Sequence, residues 1–72
     1  MALAIGTRVR VKPTGGMSEF HGSTGTVIDH ERDGRTLLHR IKLDTPVKIK
    51  GLGTTTDDLW AAEHLDDIDG QE

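Results

Sequence analysis

Thr55-Thr56-Asp57-Asp58-Leu59-Trp60-Ala61-Ala62-Glu63-His64-Leu65-Asp66-Asp67-Ile68 decides the fold, because it supports two incompatible readings. As a helix over about residues 57–67, it has an N-cap arrangement in Thr55 and Asp58. Leu59, Ala61, Ala62, Leu65 and Ile68 then fall roughly on one face. As strand, turn and strand, Leu59 and Trp60 belong to one strand, Ala61–His64 to a single helical turn, and Leu65–Ile68 to a last short strand. The second reading is adopted. Four strands with an exposed edge leave a sheet that cannot close, whereas five short strands can curl into a small barrel.

Upstream, Val47-Lys48-Ile49-Lys50 alternates apolar and charged residues and predicts a short fourth strand. Gly51-Leu52-Gly53 and the three threonines after it predict a mobile loop. In the third strand Leu37, His39, Ile41 and Leu43 share one parity and Leu38, Arg40 and Lys42 the other, until Asp44-Thr45-Pro46 breaks it. Asp33-Gly34 is a strong turn dipeptide and joins that strand to a second one through Thr26-Val27-Ile28. The first strand is Thr7-Arg8-Val9-Arg10-Val11-Lys12, with Val9 and Val11 inward and the basic residues outward; Pro13 stops it. Thr14–Glu19 reads as an exposed, turn-rich loop.

Composition narrows the function classes. In 72 residues, 33% hydrophobic and 3% aromatic, there is room for one small domain, residues 1–72, with a thin core and a short acidic tail over 69–72. The chain has no Cys, which removes disulfides, thiolate metal sites and a cysteine nucleophile. No apolar run approaches the roughly 20 residues of a membrane span. Met1–Gly6 is too short, and too soon followed by Arg8 and Arg10, to read as a signal peptide. A cytoplasmic protein without membrane contact is the expectation. Residues 1–50 carry all nine Lys and Arg against five carboxylates, net +4; residues 51–72 carry seven carboxylates and no base, net −7. This split predicts either two surfaces with different partners or a fold that brings the halves together and neutralises them.

Gly6-x-x-Val9-x-Val11 followed by Phe20-x-Gly22-x-x-Gly25-x-Val27 resembles the KOW motif of ribosomal and transcription-elongation proteins. The likeness covers mainly residues 6–28. It implies Gly22 and Gly25 at positions of positive φ or close backbone approach, with Phe20 capping one end of the core. The whole layout is similar to SH3-like barrels, and the expected fold is mainly β: a five-stranded SH3-like barrel with one short helical turn before the last strand. Two other SH3-like families share the plan. Photosystem I reaction-centre subunit IV resembles it in its opening basic strand, its Thr- and Asn-rich loop and its ending, where this chain has Thr54–Ala61 and Glu63-His64-Leu65. Type II dihydrofolate reductase resembles it at the opening strand. The Val-Gln-Ile-Tyr strand of that family is here Val47-Lys48-Ile49-Lys50, so both ligand-holding side chains are replaced by lysine, and a symmetric ring of lysines repels itself.

No active site emerges from the chemistry-bearing residues. His30 and His39 are expected nearly opposite each other across the Asp33-Gly34 hairpin, with Asp29 nearby, yet no compact zinc spacing is present. His21 and His64 complete the set, and solvated or singly hydrogen-bonded histidines are the reading. Ser18 and Ser23 lack a nucleophile elbow, and Gly15, Gly16, Gly22 and Gly25 precede no helix that would hold a phosphate. The expectation is a non-enzymatic binding module with no cofactor and no metal. It docks on a larger assembly, by the KOW-like resemblance the transcription or translation machinery. A protein is the first partner class, RNA or a nucleoprotein assembly the second, and the chain itself is a monomer or weak homo-oligomer. A structural accessory subunit is the alternative, and a homo-oligomeric reductase a third. The candidate binding residues are Arg8, Arg10, Lys12, Arg40 and Lys42 as a basic patch, with Phe20, His21 and Trp60. The loops Pro13–His21 and Gly51–Asp58 are expected to shape the contact surface.

Overall fold

The computed structural model describes residues 2–13 and 18–69. Five strands, β1 (Arg8–Val11), β2 (Thr24–Asp33), β3 (Thr36–Ile49), β4 (Gly53–Ala61) and β5 (Leu65–Asp67), are joined with 3-10 turns at Ser18–Phe20 and Ala62–His64. All neighbours are antiparallel, in the order β4-β3-β2-β1-β5. The deciding segment is therefore strand, turn and strand. That arrangement sends Trp60 and Leu65 into the interior and leaves Asp66 and Asp67 in water. The turn at Ser18–Phe20, which the sequence did not announce, seats Phe20 in the core.

The core is Val9, Val11, Phe20, Val27, Ile41, Leu43, Ile49, Trp60 and Leu65. Every strand contributes, and the side chains of the two outermost strands meet in one cluster, so the sheet curls around it as a small barrel-like fold. The curl stops short of hydrogen-bonded closure, and β4 and β5 remain edges. Among the described residues no helix is long and apolar enough to cross a membrane.

The β2–β3 hairpin turns on Gly34 and Arg35, with Asp33 paired to Thr36. Gly34 has φ +60° and no non-glycine residue among those described has positive φ, the pattern of a type II′ turn. Counting back from it pairs His30 with His39, as the hairpin spacing predicts. A register shift between Val27 and Asp29 leaves Ile28 as the extra residue, 41% exposed.

The stretch from Asp44 to Thr56 differs from its sequence reading. Val47–Ile49 is the far half of β3, not a separate fourth strand, and the threonines lie within β4 instead of a loop. Only Lys50, Gly51 and Leu52 separate the two strands, closed by Leu52 N–H to Ile49 O at 3.0 Å. Two local causes account for this. β-Branched threonines fit a pleated strand. Pro46 is tolerated because it lies in the register shift between Lys42 and Val47, beyond Leu43, the last β3 residue paired to β2. A missing N–H there breaks no ladder bond. The predicted contact loop Gly51–Asp58 is thus mostly strand. Of the predicted loop Pro13–His21, residues 14–17, with Gly15 and Gly16, lie outside the described residues, as do residues 70–72 of the tail.

Candidate docking groove

The predicted basic patch is interleaved with carboxylates of its own chain. On the outer face Arg8 stands opposite Thr26, Thr26 opposite Lys42, and Lys42 opposite Asp57, while Arg10 stands opposite Asp66. Arg8 makes a two-pronged pair with Asp44, one arm at 2.6 Å, and also donates to Thr26 Oγ1 at 3.0 Å. Arg40 Nε donates to Glu31 Oε2 at 2.8 Å and Arg40 Nη1 to Asp57 Oδ2 at 2.9 Å. Lys12 Nζ lies 3.6 Å from Asp66. Carboxylates from both halves of the chain therefore interleave with the bases, which is the neutralising alternative. Arg10 and Lys42 project into solvent.

The Asp44 carboxyl is held down to about 2, first by the hydrogen bonds from Arg8, then by that from Thr24 Oγ1 at 2.7 Å. A carboxyl depressed in the fold stabilises it above the ordinary carboxylate range, and the contribution is lost as pH falls through about 2. Both partners are about 40% exposed, so salt screens the pair. Asp44→Asn is expected to flatten the fall of stability below about pH 4, read by acid titration of far-UV circular dichroism. Molar salt should shrink the difference from wild type. Identical acid curves would refute this role for Asp44.

Phe20 and Trp60 are core residues, 2% and 7% exposed, in edge-to-face contact at 5.1 Å. Stacking a base on either face is excluded by that packing. Their rims, however, border a groove of about 410 Å³ whose apolar wall is completed by Leu38, Leu59 and Ala61. Leu38 and Ala61 are directly paired across β3 and β4. At the polar end stand Asp58, Glu63 and His64, and no Lys or Arg lines the groove. His64 Nδ1 is shielded from solvent without a hydrogen-bond partner, and its Nε2 is 3.8 Å from Glu63 Oε1. The Glu63 side chain is 78% exposed and puts its carboxylate at the mouth. His21 sits half-buried just after the first 3-10 turn, its N–H donating to Ser18 O at 3.1 Å; it does not line this groove.

Of the predicted site residues, the groove gathers only Phe20 and Trp60. Leu38, Leu59 and Glu63 were not singled out; Asp58 entered only as the end of the predicted contact loop Gly51–Asp58, and His64 only as a solvated or singly hydrogen-bonded histidine. One signal was present: Leu38 is an apolar residue on the solvent parity it shares with Arg40 and Lys42. Among the described residues no group of three or more His, Asp or Glu side chains is placed to hold a metal ion.

Fold and groove together define a small, open, all-antiparallel β-roll with an acidic-rimmed apolar slot beside its second 3-10 turn. No family model, curated protein or solved structure matches the chain.

Proposed function

We propose that this chain is a non-enzymatic docking module that takes, in the groove between β3, β4 and the second 3-10 turn, a protein segment bearing a large apolar side chain next to Lys or Arg. The observation that carries this reading is the lining itself: apolar Leu38, Leu59 and Trp60 next to the carboxylates of Asp58 and Glu63, with no Lys or Arg in the wall. An apolar anchor removes that wall from water, and a neighbouring cation satisfies the rim. The KOW-like run adds the context of a transcription or translation assembly. Proteins of such assemblies carry Lys- and Arg-rich segments for their nucleic acid, so an acidic groove complements the protein components, whereas RNA is repelled by it. The internal ion pairs of Arg8, Lys12 and Arg40 also favour a protein partner over a phosphate backbone.

Affinity purification with the intact chain, followed by mapping of the bound segment, tests this. The expected segment contains a large apolar residue flanked by Lys or Arg. Leu38→Asp combined with Glu63→Lys should lower its affinity at least tenfold, about 1.4 kcal/mol, while Arg10→Glu with Lys42→Glu should leave it unchanged. Loss on the outer-face variant alone, or RNA binding whose affinity falls steeply with salt, would overturn the reading.

A further inference from the structure

Leu3, ahead of the first strand, is gripped at both polar groups of its backbone. Its N–H donates to His39 Nε2 at 2.9 Å, and its carbonyl lies 2.6 Å from His30 Nε2. The two rings are cross-strand partners on β2 and β3, edge to face at 5.1 Å. Leu3 itself packs against the core. The chain reaches this seat through a turn in which Thr7 N–H bonds Ala4 O at 3.1 Å and Gly6, at φ +95°, bonds Val27 O at 2.7 Å.

This geometry dictates protonation. A backbone N–H can only donate, so His39 Nε2 must present its lone pair. The ring hydrogen is then on Nδ1, directed at Trp60 O at 3.3 Å. His30 must carry its hydrogen on Nε2 to meet the Leu3 carbonyl. A second proton on His39 has one place to go, Nε2, where it would confront the Leu3 N–H. His39 is only 1% exposed, so the resulting cation would have no water to solvate it while Leu3 stays seated. His30 suffers no such conflict, since its protonated ring still donates to the carbonyl.

We propose that residues 2–5 form an acid-released strap, latched over the sheet by His39 and His30 and hinged at Gly6, which leaves its seat when His39 takes up a proton. The direction of the His39 shift agrees. Burial lowers its affinity for protons, the Trp60 carbonyl raises it, and His30 lowers it again. The groups facing the ring are His30 from β2, the Trp60 carbonyl from β4 and the strap. Nearby charges are engaged elsewhere: Asp29 Oδ1 accepts the His30 backbone N–H at 2.8 Å, and Arg40 is held by Glu31 and Asp57. A histidine depressed in the fold stabilises it above the free value near 6.5, and that stabilisation is lost as pH falls below this value. Release exposes the apolar seat of Leu3 flanked by two ring N–H donors, His30 Nε2 and the newly protonated His39 Nε2. This latch is independent of the groove.

Two measurements on the full chain test it. Amide hydrogen exchange, corrected for intrinsic rate, should show Leu3 protection falling at least tenfold between about pH 7.5 and pH 5, either side of the free histidine value, while Val27 and Ile41 stay protected. His39→Gln, which does not titrate, should remove the pH dependence. Nitrogen chemical shifts of the wild-type imidazoles provide the second reading and need no variant. At neutral pH His39 should be the Nδ1–H tautomer and His30 should carry hydrogen on Nε2. Leu3 protection that ignores pH, unchanged pH dependence in His39→Gln, or an Nε2–H tautomer at His39 would each overturn the latch.

Discussion

Trp60→Ala is expected to cost about 3–5 kcal/mol, the range for deleting a buried aromatic side chain. A domain of this size holds roughly 4–11 kcal/mol in total, so the variant should be largely unfolded near body temperature. Trp60 faces the core, 7% exposed, and makes the edge-to-face contact with Phe20 that closes one end of it. Its backbone carbonyl also receives His39. Among the described residues only nine apolar side chains form the buried cluster, so no neighbouring layer can collapse into the space. Urea unfolding followed by far-UV circular dichroism reads the loss, and Trp60→Phe should recover more than half of it. A loss below about 1 kcal/mol would mean that the residue is a surface aromatic and that the core is misassigned.

Gly25→Val is expected to be nearly as damaging, about 3 kcal/mol, at the upper end for forcing atoms into packed space. Gly25 needs no unusual φ; its constraint is proximity. A Cβ at this position would stand 2.5 Å from the Lys42 carbonyl oxygen and 2.7 Å from Ile41 Cγ2. The first neighbour is backbone in the middle of β3 and cannot yield without parting the β2–β3 ladder. Gly25→Ala should already show most of the effect. Gly34→Ala is the control: open space surrounds it, and only its positive φ opposes a side chain, so about 1 kcal/mol is expected. Equal denaturation midpoints for Gly25→Val and wild type would exclude the close approach.

These two positions also show what could be read from residue order. For Phe20, Gly22 and Gly25 the expectations came from the KOW-like resemblance; Phe20 lies in the core, Gly22 has φ +82° and Gly25 lies against β3. The strand–turn–strand ending was read from the need for a fifth strand to let the sheet curl; the fifth strand is there, although the curl stops short of closure. Asp33-Gly34 gave the hairpin, and through it the His30–His39 pair. The far half of β3 was not legible, since Pro46 ordinarily ends a strand and its harmlessness depends on where β2 stops. The groove was less legible still. It is assembled from β3, β4 and both 3-10 turns, and local periodicity carries no information about which distant rims meet. The ion pairs that run through the basic patch were hidden for a related reason: Arg8, Lys12 and Arg40 find Asp44, Asp66 and Asp57 between 17 and 54 positions along the chain.

An uncurtained sheet has two flanks open to further copies. On β4 the Leu59 N–H is already taken by Asp58 Oδ1 at 2.8 Å, and β5 ends in Asp66 and Asp67, both exposed. A second copy laid alongside either flank would bring carboxylate against carboxylate. The surplus of acid in the final third of the chain thereby guards against self-templated filaments, and protonating it should let them grow.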